Sequence, residues 1–492
     1  MRASGMGWAW VALGLYSAAC REEPGRGLQA VPPQSLPEQP RGDAGTDGGS
    51  DAPPLRPPPN DPQDPVNPAD PVSPLDPVEP LPPEGPPDAG TPIPGPGDGG
   101  TPLPPTLSLP TLPGWQFYGP AQGGPRQVLG VSADRGGNIW VAGGEDGLYL
   151  LAPGASTFRR FTIANGLTPY RDPAGNRQQP VISVVGGEAG TVYAGYRGIN
   201  GGRQELDPPY MVKSGDVDKV TFAGAGGAAI AVEHYDIYSP KGEVPGYNED
   251  REKVRDVYRM LYDPRTGDVW FGGNHGVSLY DGVRRRVVEH VHPMLNGYTA
   301  SGHYTGLSDL YKGLALDARG NLWLGGANRT AKLPFATNGR NLVDVYEQPY
   351  SYLDIWPDAK STDARASERT DDYVEDMAIT PDGSFWVGSI PNGLARLSPA
   401  GRVVQTVREG MVDPKVTALE HDPQGGALWV GHIYGGVTRL LPSGGRELLD
   451  FRAFGGDLVQ GVVPDIQSDT FNGQRRILVA FSAGAVGVYT GP

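Results

Sequence analysis

The sequence predicts an all-β protein: a single β-propeller of four-stranded blades behind a long tail with no fold of its own. Three observations carry this. A short phrase recurs, as DRGGNIWVAGG from Asp134, DPRTGDVWFGG from Asp263, DARGNLWLGG from Asp317 and DPQGGALWVG from Asp422. Strand-like runs surround each copy in sets of four, at intervals of roughly 47 residues. No stretch between them carries the apolar period of an amphipathic helix.

The chain of 492 residues opens MRASGMGWAWVALGLYSAAC, one arginine before an apolar run of about 14 residues and then small residues. This is the layout of a secretory signal, too short to span a bilayer stably. No later segment is apolar enough to span one. The single cysteine, Cys20, follows directly and has no partner for a disulfide. The arrangement resembles a bacterial lipoprotein signal, with one departure: Ser17 stands where a leucine is usual. The resemblance implies that residues 1–19 are removed and Cys20 is lipidated. Arg21 replaces the aspartate that, by the same resemblance, retains lipoproteins at the inner membrane. The expected address is therefore the outer membrane, lipid-anchored on its periplasmic or cell-surface face.

Residues 20–113 follow as a tether. Of 52 prolines, 29 fall between Pro24 and Pro113. Such a segment buries too little apolar surface to offset the entropy of ordering. Between residues 21 and 114 there are 14 acidic and 4 basic side chains, so about −10 of the formal −15 belongs to the tail. The remainder is mildly acidic with no basic stripe, which argues against nucleic acid as a partner.

From Gly114 to Pro492 the apolar runs align on eight anchors: Trp140, Tyr193, Ile230, Trp270, Trp323, Trp386, Trp429 and Leu478. Eight repeats suggest eight blades, or seven if a degenerate repeat is not a blade of its own. In each phrase the aspartate and first glycine read as a hairpin turn, and the tryptophan as a wedge between blades. Gly325 and Gly326 read as a sharp turn toward the next strand. A phrase repeated this often builds the fold; a catalytic site needs a unique copy. After Leu478 the last repeat lacks one strand, and GWQFYGP at Gly114–Pro120 is expected to supply it, closing the ring.

The phrase with its following GGL.RL run resembles the two-component-regulator propeller repeat of periplasmic sensing domains, well at Trp140, Trp270, Trp323, Trp386 and Trp429. The resemblance implies a propeller and extracytoplasmic binding. It implies no signalling output, since no kinase or phosphoacceptor domain is present.

The long insertions, 164–180, 292–312 and 346–373, are read as blade-connecting loops on one face. With the residue pair just before the second, they carry His290, His292, His303, Tyr298, Tyr304, Tyr311, Tyr346, Tyr350, Tyr352, Trp356 and Tyr373, suited to a protein partner, to stacking on sugar rings or to packing onto the propeller body. The loops after each anchor offer Glu145, Asp146, Arg197, His234, His275, Asn328, Arg329, Asn392, His432 and Tyr434 near the axis. The candidate binding set is Arg197, His275, Asn328, Arg329, His432, Tyr434, Tyr298, Tyr304, Tyr350, Tyr352 and Trp356. No metal, cofactor or catalytic residue is expected, because no nucleophile elbow, phosphate loop or metal-ligand spacing is present. The expected function is a surface-tethered protein-interaction scaffold of the cell envelope, not an enzyme, with an envelope protein as partner. The alternative is a ligand- or carbohydrate-binding sensor. A propeller lyase or hydrolase, using His275, His432 or Arg329, stands third.

Overall fold

The computed structural model describes residues 107–168, 170–171, 177–178, 180–198, 216–222, 230–237, 254, 256–273, 276–288, 311–326, 330–333, 351–353, 374–454 and 457–492. The signal segment, Cys20 and the tether up to residue 106 lie outside them. No helix among the described residues is long and apolar enough to cross a membrane.

Seven four-stranded antiparallel sheets make seven blades. Their innermost strands are Gly130–Ala133, Val181–Gly186, Val257–Asp263, Gly313–Leu316, Val374–Ile379, Val416–His421 and Asp465–Phe471 for blades 1 to 7. Each neighbours the next, and the seventh neighbours the first, so they enclose an axis. The eighth anchor is not a blade. Ile230 begins the outermost strand of blade 2, Ile230–Tyr235, paired with Val217–Phe222. That strand follows no aspartate turn and alternates in burial as a sheet edge does.

Blade 7 closes the ring as expected. Trp115–Tyr118 pairs antiparallel with Ala485–Tyr489, Trp115 opposite Tyr489 and Tyr118 opposite Val486. The first and last described strands thus share one sheet, which closes the ring. Docking starts earlier than the composition suggests: Leu107, Leu109 and Leu112, within the stretch read as tether, pack on the cluster between blades 6 and 7. The Ser108 amide donates to Asp457 Oδ2 at 2.9 Å, and the Asp457 amide to Ser108 O at 3.1 Å.

The repeated phrase does structural work. Asp134 accepts the Gly136 amide at 2.8 Å, Asn138 Nδ2 at 2.8 Å and Trp140 Nε1 at 2.8 Å. The Gly190 amide of blade 2 adds a further bond to it at 3.1 Å. Gly137 takes φ 81, and Gly320 φ 80 in the same turn of blade 4. Trp140 is fully buried among Val184, Val192, Ala194 and Tyr196 of blade 2, so it wedges between blades. Asp134→Ala would strip the Trp140 indole N–H of its partner. We expect a loss of about 2–4 kcal/mol from several lost bonds to a charged acceptor, read as a fall in the denaturant midpoint at unchanged slope.

The second glycine of the phrase has a different role from the expected turn. Gly325 lies inside the strand Leu322–Gly325, and a Cβ there would sit 2.6 Å from Val374 of blade 5. The equivalent positions, two residues after each anchor, hold Ala142, Gly195, Gly272, Gly388, Gly431 and Ala480. Where the position is glycine, the entry to the next blade presses on it: a Cβ at Gly388 would sit 2.5 Å from the Val416 side chain, at Gly431 2.7 Å from that of Val463, and at Gly272 against Tyr311 O.

Candidate functional site

The innermost strands all start on one face of the ring. Turns after the anchors bond to those starts: Tyr311 N donates to Gly273 O at 3.0 Å, Val374 N to Gly326 O at 3.0 Å and Val463 N to His432 O at 2.9 Å. The insertions precede the same starts in sequence, at Val181, Gly313 and Val374, and most of their residues lie outside the described ones. One boundary shifts. Ser351–Leu353, within the expected insertion 346–373, is the outermost strand of blade 4, with Tyr352 opposite Ala331. Tyr352 is a strand residue, and that insertion reduces to 354–373.

Four innermost strands carry a register shift near this end, at Val181/Ser183, Val257/Arg259, Val374/Asp376 and Val416/Ala418. Such bulges redirect side chains. Ser183 Oγ donates to Val257 O at 2.6 Å and Thr417 Oγ1 to Val463 O at 2.7 Å, each reaching the next blade.

The bulge of blade 3 delivers Arg259 to the axis. Its Nη2 lies 3.2 Å from Asp376 Oδ2 of blade 5, and its Nη1 2.6 Å from Asp465 Oδ1 of blade 7. Asp376 also accepts the amides of Met377 at 2.9 Å and Leu419 at 2.8 Å, and Asp465 accepts that of Val131 at 3.0 Å. One guanidinium therefore ties three non-adjacent blades across the channel. Burial pushes the Asp376 carboxyl up to about 7 against the pull of Arg259. Burial likewise pushes Glu420 up to about 8, although the Ser468 hydroxyl and amide both donate to it. Toward the insertion face, Lys312 Nζ meets Glu375 Oε2 at 2.8 Å, both side chains buried. Tyr258 Oη donates to Asp256 Oδ2 at 3.1 Å. Sequence reading passed over this group. Its signal was a charged residue inside a largely apolar strand, as in YVEDMAI and VYRMLYD.

The structure spreads the residues picked from sequence. Arg197 stands half-buried beside the start of blade 2, its amide donating to Pro180 O at 2.9 Å. His432 is fully buried, with Nε2 2.8 Å from Thr438 Oγ1, and burial lowers it to about 4, so it is a neutral core histidine. Tyr434 is exposed on the insertion face, its ring 5.9 Å from Lys415 Nζ. Asp146 is bound by Arg126 and Arg160. Asn392 is buried, its carbonyl accepting from Arg408 Nε at 3.1 Å. Tyr311 is packed in the core between blades 3 and 4. His275, Asn328, Arg329, Tyr298, Tyr304, Tyr350, Trp356 and the histidines at 290, 292 and 303 lie outside the described residues. Among the described residues, no group of three or more His, Cys, Asp or Glu is placed to hold a metal ion.

His234, on the edge of blade 2, is held between Asp218 Oδ1 at 2.7 Å and Asp236 Oδ1 at 3.4 Å. Asp218 also accepts Tyr196 Oη at 2.6 Å and the Thr168 amide at 2.8 Å, which fastens the start of the first insertion. Burial alone would lower His234; the two carboxylates overcome it and raise it to about 9. A histidine whose folded pKa lies above its unfolded value near ~6.5 stabilises fully below that value and loses its contribution as pH rises through about 9. Glu420 and Asp376, also raised, act in the same direction as pH climbs to about 8 and about 7. The melting temperature is thus expected to fall between pH ~6.5 and ~9, and His234→Gln to flatten the upper part of that slope. A thermal-shift series across this range measures both.

These features define a seven-bladed β-propeller with a charged axis. No protein-family model matches the sequence, and no curated protein does. Solved structures share the fold. Virginiamycin B lyase from Staphylococcus aureus is 13% identical, with a TM-score of 0.47 over 77% of this chain and 99% of that one. The extracellular domain of a putative hybrid two component system from B. thetaiotaomicron is 14% identical, with a TM-score of 0.49 over 77% of this chain and 42% of that one. The WD40 propeller domain of Doa1 is 13% identical, with a TM-score of 0.43 over 75% and 95%.

Proposed function

We propose that this propeller is a lipid-anchored scaffold of the bacterial cell envelope whose insertion-bearing face binds a protein partner. The observation that carries this reading is that the strands entered from the three insertions all start at one end of the ring. Residues 164–180, 292–312 and 354–373 lead into the innermost strands of blades 2, 4 and 5, which start at one end of the ring. Their aromatic content suits a buried protein contact. The proline-rich tether behind Cys20 fits a body that must reach its partner from the membrane. The axial charges support a binding role over a catalytic one, because the residues that place them also hold blades together.

The test uses the full-length chain as bait against a detergent extract of the envelope. A companion bait has residues 356–371 replaced by a short Gly/Ser linker, leaving the strand Ser351–Leu353 intact. The expected result is a stoichiometric protein captured by the first bait and lost by the second, with equal melting temperatures. Capture indifferent to the replacement would refute the assignment of the face. Cys20→Ser is expected to move the chain from the detergent to the aqueous phase on partitioning.

A further inference from the structure

We infer that the outer rims of blades 5 and 6 form a docking surface for a second copy of this chain, the strand Val403–Val407 of one copy adding antiparallel to the strand Arg446–Asp450 of the next. This contact uses outer strands and not the insertion face, so it stands or falls apart from the protein-partner reading.

Exposure picks out the place. Among the described residues five large apolar side chains are exposed, and three of them, Val403, Val404 and Leu448, belong to these two strands. Each strand is the outermost of its sheet. In blade 5 the successive residues Val403 to Thr406 are all exposed, so both faces of the strand meet solvent. VVQTV holds no charge and no proline, the usual guards of a sheet edge. A register shift opposite Arg396 and Leu397 also leaves Val404 without a partner on its own neighbouring strand.

The backbone is open for one more strand. The Val407 carbonyl points inward, toward Gly393, and the Gly445 carbonyl accepts the Leu441 amide at 2.9 Å. Inward and outward groups alternate along an antiparallel ladder. Thr406 in blade 5, and Arg446 and Leu448 in blade 6, therefore turn their N–H and C=O groups outward.

One register suits backbone and side chains together. Thr406 opposite Arg446 sets Val404 opposite Leu448, Val403 opposite Leu449 and Arg402 opposite Asp450. The exposed apolar groups then cover one another, and an arginine meets an aspartate at the end of the pair. Sliding the strands one way sets Arg408 against Arg446, and the other way sets Val404 against Arg446. Because the two strands differ, every copy offers both halves of the contact, and pairing grows as an open chain instead of closing at a dimer. Two such short strands bury less than the ~1,200 Å² of a stable complex, so the association is weak.

Sedimentation velocity of the full-length chain, at concentrations up to about 1 mM, tests this. We expect a sedimentation coefficient that climbs with concentration and does not level off at a dimer. Val404→Lys and Leu448→Lys each put an ammonium into the contact, and each variant alone should stay monomeric. Mixed in equal amounts they should form a dimer and stop there, since one keeps an intact blade 6 strand and the other an intact blade 5 strand. Both positions are exposed, and equal melting temperatures check the fold. Arg402→Glu, which sets a like charge against Asp450, should weaken association about fivefold and serves if a lysine variant fails to fold. A monomer at every concentration would overturn the proposal. Self-association of either lysine variant alone would overturn it too, as would a mixture that stays monomeric.

Discussion

Replacing Arg259 with alanine is expected to cost about 3–5 kcal/mol of stability, because it leaves carboxylates buried at the axis without their counter-charge. Asp465 carries most of that cost. Asp376 already stands near neutrality, pushed up to about 7 by burial, and keeps the Met377 and Leu419 amides. Asp465 keeps the Val131 amide and Gln467 but loses its 2.6 Å contact to the guanidinium. Two corollaries separate this account from simple loss of packing. Adding Asp465→Asn to the variant should recover part of the loss, since it removes the uncompensated charge. The variant should also gain relative stability as pH falls through about 7, because protonation of the Asp376 carboxyl neutralises part of what the arginine no longer does. Chemical denaturation at two pH values resolves both effects. A loss below about 1 kcal/mol would mean that Arg259 is solvated and does not bind the blades.

The second large effect is expected at Gly272. A methyl group there would land on the carbonyl oxygen of Tyr311, where the chain enters blade 4. Backbone cannot swing aside as a side chain can, so blades 3 and 4 would have to separate and open the cluster that buries Trp270, Leu314 and Leu324. Gly272→Ala is expected to destabilise by about 3 kcal/mol or more, toward the upper end for overpacking. At Gly154 nothing lies within 4 Å, so only its φ of 75 opposes a side chain. Alanine there should cost about 1 kcal/mol, the ordinary penalty for a left-handed residue. The contrast between the two melting temperatures tests whether the small residue after each anchor is a spacing constraint.

Blade architecture was legible because the physics that builds a blade repeats. An aspartate turn, a wedge of tryptophan and a small residue two positions later recur wherever one sheet packs on another. The choice between eight blades and seven stayed open because of Ile230, where an outer strand with alternating burial resembles a degenerate copy of the anchor strand. Gly325 read as a turn, since sequence shows that a position must be small but not which neighbour demands it. The site was less legible. Arg259, Asp376 and Asp465 are hundreds of residues apart in part, and only ring closure brings them together; their separate appearance is one charge in an apolar strand. His432 drew notice as a polar residue after an anchor, yet its neighbours bury it against Thr438. Tyr311 likewise looked like a loop aromatic and proved to be core.

The claim that binding belongs to the insertion face, and not to the repeated hairpins, has one direct test. A photo-crosslinking amino acid is placed at Tyr434, exposed on that face, and in a second strain at Arg319, exposed in the hairpin at the opposite end. Both full-length chains are irradiated in intact cells. The account predicts a discrete crosslinked adduct from position 434 and none from 319. An adduct from 319 alone would place the partner on the phrase that we assign to folding, and would contradict the account.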